Sequence, residues 1–480
     1  MADMDLLPVD VVVKNKIILT PEGVIYSPEP KDIFFVQRLY RFYGVLPCWT
    51  HCSEERFNQY VARYYGDRQD SFVTLSENSG LDTFIDEISE NDLQFLNAED
   101  APVIRLIDSM VNEACELRAS DIHIESFRTT LNIRFRIDGF LQDMMSYDVR
   151  LAAALISRIK IMAGLDIAER RLPQDGRIIF EGRHQTDIRV SVIPVAEGER
   201  VVLRLLNKDA GCMALSSFGL PDTMREKITS LISRPHGMVL VTGPTGSGKS
   251  TSLYAFLNEI CSPEINILTI EDPVEYQLKH IGQTQVNANS GMTFSRGLRA
   301  LLRQDPDVVM IGEIRDSETA SIAVQAALTG HLVFSTLHTN TAAGTITRLR
   351  DMGIESFLIA SVLTGVIAQR LVRVLCPHCK RESTITSAQR QSFGLTPGEK
   401  IWEPLGCEHC HYHGYQGRTG IFEILCVDDA TRRLIHDDHS ELSVEDHIRK
   451  TTPGIMDDGI SKVRAGITTL SELMRVTSLA

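Results

Sequence analysis

The stretch 243–251 limits the possible folds and functions of this chain more than any other part of the sequence. It reads Gly-Pro-Thr-Gly-Ser-Gly-Lys-Ser-Thr and fits the pattern G-x-x-x-x-G-K-[ST]. Such a loop turns backbone N–H groups toward a phosphate chain, while its lysine reaches the β- and γ-phosphates and its serine ligates Mg²⁺. The apolar run 237–242 predicts a strand before it, and apolar residues at helical spacing predict a helix after it. The candidate nucleotide-binding residues here are Gly243, Pro244, Thr245, Gly246, Ser247, Gly248, Lys249, Ser250 and Thr251.

Length and charge limit the organisation of the chain. Its 480 residues suffice for about three domains. The stretch 69–104 contains no Lys or Arg and many acidic residues, which indicates a linker. We therefore expect an N-terminal partner-docking domain with its acidic linker over 1–95, a second domain over 96–215 and a third over 216–480. The net charge of −14 argues against a protein that mainly coats nucleic acid.

No segment has the pattern of a membrane span or an export signal. The N-terminus is acidic, unlike the basic start of a signal peptide. The longest uncharged stretch, 356–369, is too short to cross a bilayer. Its apolar residues fall on one helical face, which predicts a packed helix. We expect a cytosolic protein, whose ten cysteines are thiols or metal ligands.

The second domain has the pattern of a helix followed by an antiparallel sheet. Apolar and polar residues alternate over 131–137, 187–193 and 200–206, and Asp138-Gly139 predicts a hairpin turn. Its arginines are either solubilising charge on an exposed face or, for one or two of them, ligands for the phosphates of a nucleotide held elsewhere. These arginines are Arg134, Arg136, Arg177, Arg189, Arg200 and Arg204.

Three further apolar runs, 265–270, 307–312 and 331–338, predict buried parallel strands in the third domain. The carboxyl ends of such strands face the ligand crevice. Glu313 follows its strand where an acid is needed to hold Mg²⁺ or polarise the attacking water. Glu271, Asp272 and Glu275 follow another strand, although Asp272 is equally well explained as a helix cap or a salt-bridge partner. His331 and His338 at the ends of the third run are candidates for sensing the γ-phosphate or the neighbouring subunit, or for core packing.

Two Cys-x-x-Cys knuckles predict a metal site within an insertion over 374–414. They are separated by 27 residues, more than in common zinc motifs. Four thiolates in two pairs suit tetrahedral Zn²⁺ in a closed structural site. His378 and His409, inside the knuckles, are the competing ligands. The four cysteines are Cys376, Cys379, Cys407 and Cys410.

Three sequence blocks carry a family resemblance. The blocks 269–275 (Thr-Ile-Glu-Asp-Pro-Val-Glu), 303–316 and 329–340 resemble the Asp box, Walker B and His box of the type II/type IV secretion ATPase superfamily. Within that superfamily the chain is most similar to the type II secretion ATPases. The resemblance, from about Ala101 onward, implies an α/β fold: a RecA-like parallel-sheet ATPase domain, a preceding α+β, PAS-like domain, a small N-terminal domain and a four-cysteine zinc-binding insertion. Retraction ATPases lack these cysteines, so a retraction motor is disfavoured.

The resemblance also implies site roles and partners. Glu313 is the first candidate for the catalytic glutamate and Glu275 the second, with His338 beside them. Arg177 and Arg189 of the second domain, and Arg299 and Arg303 of the ATPase domain, would complete the site in a homo-hexamer. ATP, Mg²⁺ and Zn²⁺ are the implied ligands. The implied partners are an inner-membrane secretion platform protein with a cytoplasmic domain, which holds the motor at the membrane, and the pseudopilus assembly machinery.

Three alternatives remain open at the level of sequence. Type IV pilus assembly ATPases share the same blocks. A nucleic-acid translocase or helicase would use the same sheet, although no nucleic acid is expected here. A nucleotide-gated scaffold would bind ATP without useful turnover.

Overall fold

The computed structural model divides into two compact units, Met1–Val111 with Asp148–Ile159, and Asn112–Tyr147 with Lys160–Ala480. Most of the predicted N-terminal domain lies outside the described residues, so its expected docking role rests on the sequence. The structure describes residues 17–19, 24–27, 48–53, 56, 101–206, 213–383, 393–396 and 399–477.

The first unit contains a small sheet in the order β1-β2-β3. β2 pairs antiparallel with β1 and parallel with β3. Ile18 and Ile25 are buried there. The helix predicted after 100 is confirmed as α1, which begins in this unit. The elements are β1 (Ile18–Leu19), β2 (Val24–Ser27), β3 (Cys48–His51) and α1 (Ala101–Glu116).

The predicted antiparallel sheet is confirmed and has six strands in the order β6-β5-β4-β9-β8-β7. Asp138 and Gly139 have positive φ, at 49° and 88°, and form the predicted turn between β5 and β6. The strands are β4 (Ala119–Ser126), β5 (Thr130–Ile137), β6 (Phe140–Asp148), β7 (Gln174–Glu181), β8 (Gln185–Val195) and β9 (Gly198–Leu206). The helix α2 (Ala152–Met162) follows β6 in the chain and belongs mostly to the first unit.

The arginines on this sheet are ion-paired rather than simply solvated. Asp121, Glu125 and Asp187 are buried carboxylates on the same sheet. Each forms ion pairs with one or two arginines on adjacent strands, which lie either directly opposite the carboxylate or diagonally from it on the same face of the sheet. The pairs are Arg134 and Arg200 with Glu125, Arg136 and Arg204 with Asp121, and Arg177 with Asp187.

The ATPase domain contains a seven-stranded sheet in the order β12-β11-β13-β14-β10-β15-β18. Its pairs are parallel except β15 with β18, which is antiparallel. The elements are α3 (Asp222–Ile232), β10 (Gly237–Thr242), α4 (Lys249–Ile260), β11 (Ile267–Glu271), β12 (Gly282–Gln285), α5 (Phe294–Leu301), β13 (Val308–Ile311), α6 (Ser317–Leu328), β14 (Leu332–Leu337), α7 (Ala342–Asp351), α8 (Ser356–Val362), β15 (Leu363–Leu375), β16 (Arg381–Ser383), β17 (Ile401–Glu403), β18 (Tyr415–Cys426), α9 (Asp429–His436), α10 (Glu441–Ile448), α11 (Ile455–Arg464) and α12 (Leu470–Thr477).

Both faces of this sheet are covered by apolar side chains. Met238 and Leu240 of β10 belong to one buried cluster, and Val239 and Val241 belong to another. This alternation explains why the strand is apolar at every position, as expected for a central parallel strand. The fold class predicted from the sequence is confirmed.

The structure of residues 356–369 differs from the single packed helix that the sequence predicts. It is helical only to Val362 and then enters the central strand β15. The apolar run packs in the core as predicted, but a strand buried on both faces has no period that distinguishes it from a buried helix. Within the described part of the chain, none of the helices combines the length and apolarity required to cross a bilayer.

A buried ion pair holds α11 against β18. Asp458 accepts from Lys462 Nζ at 2.9 Å and from the backbone N–H of Phe422 at 2.9 Å. Lys462 also donates to the carbonyl of Gly420 at 2.5 Å. The Asp458 and Lys462 side chains are 2% and 5% exposed, so each charge depends on the other.

Replacing Asp458 by Ala should lower the free energy of unfolding by about 3–5 kcal/mol, because the Lys462 ammonium stays buried without a counterion. Urea unfolding followed by far-UV circular dichroism measures this. Asp429→Ala is the matched control, since its pair with Arg432 is exposed, and should cost less than about 1 kcal/mol. Equal losses in the free energy of unfolding for the two variants would show that the buried pair stabilises the fold no more than the exposed one.

Candidate active site

The loop over 243–248 connects the end of β10 to the start of α4. Gly243 and Gly248 have φ of 147° and 87°, in the region that favours glycine. A Cβ on Gly243 would lie 2.3 Å from the Gln369 carbonyl oxygen. The loop therefore lies against β15, and these glycines are required by its path.

Lys249 opens α4 and folds back over the loop. Its Nζ donates to the carbonyls of Gly243 at 2.9 Å and Pro244 at 3.0 Å. Burial lowers the pKa of Lys249, while the negative charge of Glu313 acts in the opposite direction. The buried hydroxyl of Ser247 has no hydrogen-bond partner among the described atoms. The loop thus offers an ammonium and an unused hydroxyl to a ligand.

The parallel register brings the predicted acids to the same edge of the sheet. Thr242 of β10 pairs with Leu337 of β14, and β13 and β11 lie beside β14 in turn. Glu271 therefore ends its strand, and Glu313 and His338 follow theirs, at the edge where the phosphate loop begins. The predicted juxtaposition of these groups is present.

Glu313 is the acid most closely associated with charged neighbours at this edge. Arg315 Nη2 donates to its Oε1 at 2.5 Å, and His338 Nε2 lies 3.7 Å from its Oε2. Burial lowers the pKa of His338, and Lys249 adds to this shift. Both effects favour the neutral imidazole. Sequence reasoning missed Arg315, although its position two residues after Glu313 places it within reach.

Glu271 supports its loop rather than presenting a free oxygen. It is buried, and its Oε1 accepts from Thr269 Oγ1 at 2.5 Å and from Gln283 Nε2 at 3.1 Å. Its Oε2 accepts from the hydroxyl of Tyr254. These contacts favour a positioning role over the predicted direct contact with nucleotide or Mg²⁺.

Glu275 is partly exposed and lies close to an arginine of the antiparallel sheet. Arg189 Nη1 is 3.7 Å from its Oε2, and Arg189 Nη2 donates to the carbonyl of Val274 at 2.9 Å. Arg189 therefore reaches the Glu275 loop within one chain. Asp272 immediately precedes Pro273 in the same loop.

The other predicted arginines contact residues outside the phosphate loop. Arg177 pairs with Asp187. Arg299, which is about half exposed, lies 2.8 Å from Glu318. Arg303 Nη1 donates to the carbonyl of Arg299 at 2.8 Å. These described contacts do not bring the three arginines to their own chain's Lys249.

The position of His331 corrects a prediction. It precedes β14, and its carbonyl accepts from Gly237 N at the start of β10, so it lies at the opposite edge from the loop. Its Nδ1 lies 2.9 Å from the Ala326 carbonyl. The ring therefore belongs to the turn between α6 and β14, not to the nucleotide pocket of its own chain.

The two knuckles meet at the end of the β15–β18 pair. The four cysteine sulfurs lie within 4.8 Å of one another, with Cys376–Cys407, Cys379–Cys410 and Cys407–Cys410 at 3.8, 3.7 and 3.8 Å. Zn–S bonds of about 2.3 Å in a tetrahedron require sulfurs about 3.8 Å apart. The cluster therefore fits Zn²⁺ in donor type and size.

Backbone N–H groups also point at these sulfurs. Gly406 donates to Cys379 Sγ at 3.3 Å, and Gly414 donates to Cys410 Sγ at 3.1 Å. Such donors stabilise thiolate charge. The His378 and His409 rings stack on each other at 4.2 Å between centroids. Among described residues, the group with metal-ligand spacing consists of the four cysteines without these histidines.

Comparison with known proteins identifies the family to which the chain belongs. The family described as Type II/IV secretion system protein matches residues 97–475. The type II secretion system ATPase E of Vibrio cholerae is 54% identical over 433 residues, covering 88% of this chain and 86% of that protein. The type II secretion system protein E of Dickeya dadantii is 52% identical over 443 residues, covering 91% and 89%.

Solved structures share the fold. The pilus retraction motor PilT with bound ADP aligns with a TM-score of 0.53 and 29% identity, covering 77% of this chain and 96% of that one. The Legionella pneumophila ATPase DotB aligns with a TM-score of 0.59 and 23% identity, covering 78% and 96%. The secretion ATPase predicted from the motifs is confirmed. The chain belongs to the type II/IV secretion system protein family.

Proposed function

We propose that this protein is a hexameric motor that hydrolyses ATP to drive pseudopilus assembly and protein export in a type II secretion system. The main support is the phosphate loop, where Lys249 and the unpartnered Ser247 hydroxyl share a sheet edge with Glu313. The name and the high identity of the Vibrio cholerae relative supply the biological setting.

Hydrolysis requires a water in line with the γ-phosphate and positive charge around the transferred group. Lys249 and the loop N–H groups bind the phosphates. Ser250 would hold Mg²⁺, which would supply positive charge to the phosphates. Glu313 orients and polarises the water, and Arg315 and His338 hold its carboxylate in place. Glu275, with Arg189, is the second acid of the site.

The arginines divide into two groups in this mechanism. Arg189 acts within its own chain, because it reaches Val274 and Glu275 there. Arg299 and Arg303 act on the site of a neighbouring subunit, and Arg177 lies on an exposed edge strand suited to the same role. A ring with one repeated head-to-tail interface allows every site to be completed in this way.

The remaining parts of the chain connect the motor to its machine. The domain over 1–95 docks on the cytoplasmic domain of an inner-membrane platform protein and holds the ATPase at that face. The second domain, 96–215, moves on the ATPase domain, 216–480, as nucleotide is bound and released. The insertion over 374–414 holds Zn²⁺ through Cys376, Cys379, Cys407 and Cys410, with a structural role.

Glu313→Gln should lower kcat for ATP by about 100-fold or more, because the amide cannot accept a proton from the attacking water. Phosphate release measures kcat, and a fluorescent ATP analogue should show that binding is retained. The control is Glu259→Gln, an exposed carboxylate on α4, which should leave kcat unchanged. Turnover equal to wild type in Glu313→Gln would contradict the proposed hydrolysis.

A mixing experiment tests the two arginine groups. Arg299→Ala and Glu313→Gln should each be inactive alone, yet a 1:1 mixture assembled from dilute subunits should recover about a quarter of wild-type turnover in a randomly assembled head-to-tail ring. The mixture of Arg189→Ala with Glu313→Gln should recover nothing, since Arg189 serves its own chain. Recovery in neither mixture would contradict the assignment of Arg299 to the site of a neighbouring subunit.

Metal analysis of the purified protein should find one zinc per chain. Cys379→Ser should abolish that zinc and lower Tm, because a three-sulfur site binds the ion more weakly. Cys426→Ser, outside the cluster, should keep the zinc. Wild-type protein that contains no zinc after reduction and zinc addition would contradict the assignment.

A further inference from the structure

Tyr254 is a buried phenol on the helix that carries Lys249. Its side chain is 1% exposed and lies five residues after Lys249 on α4. A buried hydroxyl requires partners. It donates to Glu271 Oε2 and accepts from the backbone N–H of Glu275 at 3.3 Å. One hydroxyl thus joins the phosphate-loop helix to the strand-end acid and to the loop after it.

The direction of these bonds is fixed, because the Glu271 carboxylate can only accept and the backbone N–H of Glu275 can only donate. The other carboxylate oxygen is occupied by Thr269 and Gln283. Burial and the Glu271 charge both raise the pKa of Tyr254, which stays protonated. The hydroxyl proton therefore goes to Glu271, and the oxygen lone pairs are available to the Glu275 N–H.

The same loop makes further described contacts with α4 and with β12. The Tyr276 ring meets the Tyr254 ring edge-on, with centroids 4.5 Å apart. Gln283 of β12 accepts from Leu278 N at 2.7 Å and donates to the Tyr276 carbonyl at 3.2 Å. Gln283 anchors the far end of the loop to the sheet, whereas Tyr254 anchors its Glu275 end to the phosphate-loop helix.

We propose that Tyr254 is a positioning residue for ATP hydrolysis, whose hydroxyl holds Glu275, and Arg189 beside it, at a fixed place relative to Lys249. This inference rests on the proposed function, since it assigns Glu275 to the hydrolytic site. Tyr254 acts through Glu275 and does not itself meet the nucleotide.

Tyr254→Phe keeps the ring and removes the hydroxyl. It should lower kcat roughly 10-fold or more, because small displacements of catalytic groups are costly, and leave the KM for ATP nearly unchanged, because the phosphate loop is intact. Thr269→Val is the matched control. It removes another buried donor to Glu271 but no contact with Glu275, so its kcat should stay close to wild type.

A double-mutant cycle separates positioning from general damage. Tyr254→Phe should have little further effect on kcat in a Glu275→Gln background, because both changes disable the same group. An equal fold-loss in both backgrounds, or wild-type kcat in Glu275→Gln, would overturn the inference. Wild-type turnover in Glu313→Gln would instead overturn the proposed function.

Hydrogen exchange on the full-length wild-type chain gives an independent measurement if Tyr254→Phe does not fold. The Glu275 amide should exchange more slowly than unbonded amides of the same loop, because its N–H is bonded to a buried oxygen. An unprotected Glu275 amide would show that the contact is absent in solution and would overturn the inference.

Discussion

The site depends on the burial of β10 at the centre of a parallel sheet. The strand pairs with β14 along its length and with β15 on its other side, and all six of its residues are buried. The phosphate loop therefore starts from a strand that is hydrogen-bonded on both sides and fully buried. Gly243 then lets the loop run against the Gln369 carbonyl, which would clash with any side chain. The positions of Lys249 and Glu313 follow from this register.

The features that the sequence predicts well are those with a local chemical cause. The phosphate loop needs glycines at fixed positions, parallel strands need apolar residues on both faces, and each knuckle pairs two thiols through four consecutive residues. The strand β10 and the turn at Asp138-Gly139 lie where these rules place them. Such patterns can be read without knowledge of the rest of the chain.

What the sequence does not reveal depends on partners distant along the chain. The stretch 356–369 becomes half strand because β10 and β18 enclose it. Arg177 pairs with a buried carboxylate on the adjacent strand. The alternation of apolar and polar residues along one strand cannot show such a partner. Glu271 and Glu313 look alike as acids at strand ends. Tertiary contacts show that Glu271 accepts hydrogen bonds from Tyr254, Thr269 and Gln283. Glu313 instead lies beside Arg315 and His338, and its charge acts on Lys249.

The four-cysteine cluster lies where the long antiparallel pair β15–β18 ends, so both ends of the segment between the knuckles are fixed at one point. The 27 residues between Cys379 and Cys407 are also held away from the cluster, because β16 pairs with β17 and Leu395 and Ile401 are buried with Val372 of β15 and Ile421 of β18. Removal of a metal ion from the cysteines would therefore release the base of this segment, while its buried residues would still pack on the same two strands.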